Sequence, residues 1–280
     1  MGHIQIKTEL IEQLIDISIE AGDAILEFYN SEIDVQVKFD SSPLTKADLE
    51  SNSIIVKRLK TLMPNIPILS EEAADISFDV RSKWNEYWLV DPLDGTKEFI
   101  NKNGEFTVNI ALIRDHKPIF GLIHLPVKKH TYWGCEDKGS FFLDEANNTR
   151  KINVSTNIDD PIRIAASRSH PSEELTNLLG KIKNYKLLEV GSSLKFCLIA
   201  SGKADMYPRF GPTSEWDIAA GHAIVKFAGG NIMTIKQEEL TYNQKESLLN
   251  PEFIVSNNLQ TSKANLGIMD SLDHITQNTK

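Results

Sequence analysis

The sequence predicts an α+β first half joined to an α/β second half. Three observations carry this: amphipathic helical patterns open the chain, an antiparallel meander of apolar-rich strands follows, and strand and helix alternate beyond about residue 160. Residues 4–30 carry Leu10, Leu14, Ile17, Ala21, Ile25 and Phe28 at three- to four-residue spacing, the period of a helix with one apolar face. A second helix is expected from near Thr45, with Ile54, Ile55, Leu59 and Leu62 on one face. It stops before Pro64, whose ring excludes further helix.

After a short apolar run at 66–69, the strands are expected at 88–90, from Phe106 through Leu112, and at 119–125, 131–134 and 140–143. In the second half, strands at 162–166, 186–190, 204–207, 231–235 and 253–255 are interleaved with helices at 172–179, 192–200 and 215–228. Gly202 and Gly229 end the last two helices. No repeat, low-complexity tract or Pro/Gly/Ser-rich linker separates the halves. Residues 1–160 and 161–280 therefore read as two subdomains sharing a cleft.

With 280 residues and 41% hydrophobic content the chain can bury a sizeable core. No apolar run reaches the ~18 residues that span a bilayer, and the start Met1-Gly2-His3-Ile4 lacks the basic region of a secretory signal, so a cytoplasmic location is expected. Cys135 and Cys197 stand far apart without zinc-ligand spacing and read as small core residues. A net charge of −9 argues against nucleic-acid polymers and acidic membranes as generic partners. An anionic small substrate stays open, because a bound divalent cation reverses the local field.

The most informative run is Trp88 to Thr96, Trp-Leu-Val-Asp-Pro-Leu-Asp-Gly-Thr, in which an apolar strand delivers Asp91 and Asp94 to its end. Pro92 is expected to force a turn there, so that both carboxylates face one point. Two carboxylates about 4 Å apart at an effective dielectric near 20 repel by roughly 4 kcal/mol, which a hard cation would relieve. The plainer reading is two ordinary surface turns, Asp-Pro and Asp-Gly.

Glu71, beside Glu72 just past the 66–69 run, and Asp217, in the first turn of a helix, are further acids at element boundaries. Asp217 is also explained by the helix dipole, and Glu71 with Glu72 by a solvated acidic turn. Oxygen-only ligands select Mg²⁺ or Mn²⁺ over zinc. His124 and His222 are not spaced with these acids and read as satisfied core histidines. Gly95 and Thr96 open a short helical turn through Ile100, where exposed amides cradle an anion. The Thr96 hydroxyl then either caps that turn or positions a water. Thr45-Lys46-Ala47-Asp48 fits a capping box with aspartate in the glutamate place; Asp48 in a proton relay to Thr96 is the functional alternative. The phosphate-loop, dinucleotide, zinc-protease and esterase-elbow signatures are absent from the sequence.

Taken together, Leu69-Ser70-Glu71-Glu72, Asp91-Pro92-Leu93-Asp94-Gly95-Thr96 and Trp216-Asp217-Ile218-Ala219-Ala220-Gly221 resemble, in order, the signatures of the Mg²⁺-dependent, lithium-sensitive phosphatases typified by inositol monophosphatase. Within that superfamily, Lys97-Glu98-Phe99-Ile100 and the run from Tyr207 to Thr213 are similar to the CysQ-type 3'(2'),5'-bisphosphate nucleotidases. Inositol monophosphatases typically place an acid where Arg209 aligns.

The resemblance implies a layered α/β/α/β/α sandwich and two or three Mg²⁺ ions, with Mn²⁺ as a substitute. Glu71, Asp91, Asp94 and Asp217 would hold the ions with side chains and Leu93 with its carbonyl. Gly95 and Thr96 would hold the scissile phosphate, and Thr96 with Asp48 or Glu71 would orient and deprotonate the attacking water. Ser192, Lys195 and Arg209 would complete the substrate site, the two cations serving a second phosphate. Without the resemblance, Lys195 reads as a helix-surface lysine and Arg209 as a loop cation.

The implied reaction is hydrolysis of adenosine 3',5'-bisphosphate, and of its sulfated relative, in sulfate assimilation, by direct in-line attack of water without a covalent enzyme intermediate. Inositol monophosphate or fructose 1,6-bisphosphate hydrolysis, and a non-catalytic nucleotide sensor, are the alternatives. Peripheral contact with the cytoplasmic side of the inner membrane, and the oligomeric state, stay open.

Overall fold

Helix α1 (Thr8–Tyr29) forms where apolar residues recur every three or four positions, and Ile11, Leu14, Ile17, Ala21 and Ile25 are buried on its inner face. The computed structural model describes residues 6–29, 35–37, 43–156, 161–169 and 172–257. Residues 6 and 7 are not helical, so the helix starts later than the expected residue 4; residues 4, 5 and 30 lie outside the described residues. Two short antiparallel strands follow, β1 (Val35–Val37) and β2 (Pro43–Thr45), which the sequence reading did not anticipate. Helix α2 (Lys46–Leu62) buries Ala47, Asp48, Ser51, Ile55 and Leu59 and ends before Pro64 as expected.

The first sheet comprises β3 (Ile68–Ser70), β4 (Glu86–Asp94), β5 (Thr107–Arg114), β6 (Lys117–Leu125), β7 (His130–Cys135), β8 (Gly139–Leu143) and β9 (Thr149–Ile152), in that spatial order. A 3₁₀ turn (Glu71–Ala73) and helix α3 (Phe78–Arg81) join β3 to β4, and helix α4 (Thr96–Ile100) joins β4 to β5. β3 runs parallel to β4, and the rest is an antiparallel meander. Both faces of this sheet are covered. Trp88, Val90, Ile110, Leu112, Phe120 and Leu122 pack with α1 and α2, while Leu89, Ala111, Ile113 and Ile123 join the other core. The two-residue period of the strands thus separates two helix layers rather than core from water.

Beyond residue 160 come β10 (Ile162–Ser167), α5 (Glu173–Leu179), β11 (Tyr185–Val190), α6 (Leu194–Ala200), β12 (Met206–Arg209), α7 (Glu215–Phe227), β13 (Asn231–Thr234) and β14 (Phe253–Ser256). They form a five-stranded sheet in the order β11-β10-β12-β14-β13. The β10, β11 and β12 pairings are parallel, and β14 pairs antiparallel with β12 and β13. Phe196 of α6 and Ala219, Ala220 and Ile224 of α7 share a core with both sheets, while Leu178 of α5 packs with Phe210, Met206 and Ile254 on the far face. The layers are therefore α1/α2, sheet, α6/α7, sheet, α5, the expected five-layer sandwich.

One local expectation is overturned. The chain does not turn at Pro92. β4 continues to Asp94 against β5, with Asp91 opposite Asn109, Asp94 opposite Thr107 and a register shift between them. β3 ends opposite Val90, so no strand on that side needs the N–H that Pro92 lacks, and a bulge accommodates the ring.

Candidate active site

The bulge at the end of β4 is what collects the acids. It buries Asp91 to 1% exposure, and the Leu93 N–H donates to Asp91 Oδ1 at 3.1 Å. Ser51 Oγ donates to the Pro92 carbonyl at 2.8 Å and so docks α2, with its buried Asp48, onto the bulge. The parallel pairing of Ser70 with Val90 brings Glu71 alongside Asp91.

Gly95 follows at φ +90°, where an added Cβ would stand 3.1 Å from Ser192 Cβ, so only glycine suits both the backbone and the space. It occupies the cap position of α4 and Thr96 the first helical one, which removes the reading of Thr96 as the capping residue. Asp217 sits in the first turn of α7, and the Ser214 N–H donates to its Oδ2 at 2.8 Å. The depth of that helix depends on Gly221, where a Cβ would fall 2.3 Å from Phe196 Cγ.

The acids act on one another electrostatically. Burial holds the Asp91 carboxyl well above its usual range, and the charges of Glu71, Asp94, Asp217 and Asp48 raise it further. Asp217 is raised by burial, then by Asp94 and Glu71, against the Ser214 amide and Arg209. Asp94 is raised by burial against the pull of Lys195, the Ser193 amide, Asn109 and Arg209. This all-oxygen, mutually repelling set has the chemistry of a hard-cation site. Among the described residues no three or more His, Cys, Asp or Glu groups are drawn together as a finished ion cage. Asp91 and Asp217 each instead accept a backbone N–H.

Asp94, Gly95, Thr96, Ser192, Lys195, Arg209 and Asp217 line one cavity of about 640 Å³. Asp48, Glu71, Asp91 and Leu93 are not part of that lining. Lys195 is no surface lysine. It is 5% exposed, lies 5.5 Å over the Tyr207 ring and donates to the Ser192 carbonyl. Burial pulls its ammonium down to about 8, with Asp94 opposing. Arg209 ends a strand rather than lying in a loop, and donates to the Gly211 and Pro212 carbonyls at 3.1 and 3.0 Å. Ser192 is held at φ +44°, its hydroxyl buried with no hydrogen-bond partner among the described residues.

His124 and His222 are core residues, paired with Thr131 and Tyr242. Both cysteines are buried and free. The capping-box reading of Thr45 falls on a side chain outside the described residues. A second hollow of about 540 Å³ between α1 and α2 is lined by the exposed acids Asp16, Glu20, Asp23, Glu27 and Glu50 and contains none of the predicted site residues.

Sequence reasoning missed Ser193 and Tyr207 in the lining of this cavity and Asn109 beside Asp94. For Asn109 a signal existed: Thr107 and Asn109 are polar at i and i+2 on a strand that is otherwise apolar up to its last residue, Arg114.

The layered fold and the acid-lined cavity place the chain in a class that comparison identifies: it belongs to the inositol monophosphatase family, whose family model matches residues 6–268. The enzymes of that family are metal-dependent phosphatases. Among its relatives are the 3'(2'),5'-bisphosphate nucleotidases CysQ of Salmonella typhimurium and Escherichia coli K12, each 45% identical over 249 residues, covering 88% of this chain and 99% of the relative. The crystal structure of CysQ from Bacteroides thetaiotaomicron, a bacterial member of the inositol monophosphatase family, is 41% identical. It superposes with a TM-score of 0.78 over 88% of this chain and 96% of that one. The Thermotoga maritima IMPase, 22% identical, shares the fold with a TM-score of 0.79, covering 97% of this chain and 99% of its own.

Proposed function

We propose that this chain is a Mg²⁺-dependent 3'(2'),5'-bisphosphate nucleotidase that hydrolyses adenosine 3',5'-bisphosphate to AMP and phosphate. The observation that carries this is a single cavity whose lining holds two carboxylates, Asp94 and Asp217, together with two cations, Lys195 and Arg209. A nucleoside bisphosphate needs both, one set for the ester that is cleaved and the other for the phosphate that stays. The CysQ nucleotidases at 45% identity support the same substrate.

In this reading Glu71, Asp91, Asp94 and Asp217, with the Leu93 carbonyl, hold two or three Mg²⁺ ions, and Mn²⁺ substitutes. Bound Mg²⁺ supplies charge neutralisation of the phosphoryl oxygens and lowers the pKa of water. The Gly95 and Thr96 amides grip the scissile phosphate. Thr96 Oγ1 orients a water in line with the bond that breaks, and Asp48 or Glu71 takes its proton as the P–O bond to the ester oxygen breaks, the departing alkoxide taking a proton from solvent water to become the hydroxyl of AMP. Lys195 and Arg209 bind the second phosphate, with Ser192 beside Lys195 and the Gly95 turn. Residues 1–160 supply most of the cation ligands, and residues 161–280 complete the cleft.

Among the described residues no helix is long and apolar enough to cross a membrane. A cytoplasmic location and a small-molecule substrate rather than a nucleic-acid polymer belong to the proposal. The test is phosphate release from the bisphosphate, inositol monophosphate and fructose 1,6-bisphosphate, each with and without Mg²⁺. Mg²⁺-dependent release from the bisphosphate at the highest kcat/KM is expected. Preference for either of the others, or ligand-induced stabilisation without turnover, rejects the assignment.

A further inference from the structure

Behind Asp94 lies a chain of buried polar groups that crosses from the first sheet to the second half of the molecule. Thr107 and Asn109 sit two residues apart on β5, and Ser193 precedes α6; their exposures are 0%, 1% and 2%. Ser193 Oγ donates to Asn109 Oδ1 at 2.8 Å. The Thr107 and Ser193 hydroxyls stand 2.8 Å apart. With its own proton committed to Asn109, Ser193 must accept there, so Thr107 is the donor. Asn109 Nδ2 in turn reaches Asp94 Oδ2 at 3.5 Å, the long limit of a hydrogen bond, and the Ser193 N–H also donates to the Asp94 carboxylate.

The direction of this chain is set at its Asp94 end. If the Asn109 amide were flipped, its oxygen would face a carboxylate, acceptor against acceptor. In this orientation every proton points along the chain toward Asp94, an arrangement in which each hydrogen bond polarises the next.

We infer that Asn109 and Ser193 are positioning residues for the cation-holding carboxylate of Asp94. The inference rests on the proposed reading of Asp94 as a Mg²⁺ ligand. The pair fixes the rotation of Asp94 and ties it to the start of α6, one residue before Leu194 and two before Lys195. The cation site and the phosphate-binding lysine are thereby set in register across the two halves.

The test uses the full chain with Asn109→Ala, Ser193→Ala and the double variant. Mn²⁺ binding to the substrate-free protein is read by electron paramagnetic resonance, half-saturating Mg²⁺ is read by phosphate release, and thermal unfolding is followed in chelator. Partners behind a metal ligand typically contribute about 10–100-fold in metal affinity. Asn109→Ala should weaken Mn²⁺ binding and raise half-saturating Mg²⁺ by at least about 10-fold, with kcat largely regained at saturating Mg²⁺. Ser193→Ala should shift both in the same direction by less, and the double variant should match Asn109→Ala, because the two act through one chain.

Wild-type Mn²⁺ affinity and Mg²⁺ requirement in Asn109→Ala overturn the inference while leaving Asp94 as a ligand. Should Asn109→Ala unfold in chelator, unchanged Mn²⁺ binding by Ser193→Ala overturns it in the same way. A wild-type chain that neither binds Mn²⁺ nor needs Mg²⁺ overturns the reading of Asp94 itself, and the inference with it.

Discussion

At Asp94, burial favours the neutral acid while Lys195, the Ser193 amide, Asn109 and Arg209 favour the anion. Asp91 and Asp217 have less relief, and at both the charges of Glu71 and Asp94 add to burial. Such groups are held ready for a counter-charge that the protein's own side chains supply only in part. Asp94→Asn keeps the shape and removes one charge. It should lower phosphate release by at least about 100-fold, or ~2.7 kcal/mol in the barrier, while thermal unfolding in chelator stays at or above the wild-type temperature because repulsion within the cluster falls. Near-normal turnover would remove Asp94 from the ligand set. The acids were readable as residue types at element boundaries, since aspartate beside a strand end is conspicuous. The burial of Lys195 was not, because a lysine in a seven-residue helix looks the same whether that helix faces water or, as here, a second sheet.

Among the elements, the wall that carries the Arg209 partners is held from outside. Asn250 Nδ2 donates to the Ser214 carbonyl at 2.7 Å and to the Thr213 carbonyl at 3.2 Å, and its N–H donates to Thr213 O at 2.8 Å. The strap leading to it is anchored in turn. Both Glu215 carboxylate oxygens accept from the Asn243 N–H, and the Asn243 side chain accepts from the Arg81 guanidinium of α3 at 2.5 Å and donates to the Arg81 carbonyl at 2.6 Å. Asn250→Ala should cost about 1–2 kcal/mol of stability from its lost side-chain bonds. It should also raise KM for the bisphosphate several-fold with kcat little changed, since the loosened wall binds the retained phosphate rather than the reacting one. Steady-state kinetics beside urea unfolding would check it; a fall in kcat alone would contradict this division of labour.

Helix and strand periods made most of these elements legible, α1 and the meander above all. β9 escaped because Thr149, Arg150 and Lys151 are exposed and carry no apolar alternation. The Pro92 bulge escaped because whether a proline breaks a strand depends on which neighbour needs its N–H, and β3 lies about twenty residues upstream.

For the molecule as a whole, the two core histidines set part of the acid limit. His124 is wedged beside Gly22 of α1, and His222 is paired to Tyr242; burial pulls their pKa values down to about 4 and about 3. The unfolded chain takes up those protons near the ordinary histidine value of 6.5. The stability they represent is thus fully present above that value and is lost as pH falls through the window toward 4 and 3, at about 1.4 kcal/mol per pH unit for each. Asp91, Asp217 and Glu215, whose carboxyls are raised, Glu215 to about 7, act with the opposite sign and lose stability as pH rises. A comparison of variants isolates one contribution. The difference in unfolding free energy between wild type and His222→Gln should change by about 1.4 kcal/mol between pH 6 and pH 5, measured by urea titration at each pH. A constant difference would mean that His222 titrates alike in both states.

What the sequence determined by itself is the order of helices and strands, the two-part chemistry of carboxylates and cations, and the resemblance that joined them. These are written in neighbours a few residues apart, where period, proline, glycine and cap chemistry act. Only the tertiary structure decided that Asp217 shares a field with Asp91 and Glu71, that Lys195 is buried against Asp94, and that Asn109 and Ser193 stand behind that carboxylate. Those relations join residues some hundred positions apart through layers packed from both faces, and the electrostatics of a buried group depend on everything around it rather than on its place along the chain.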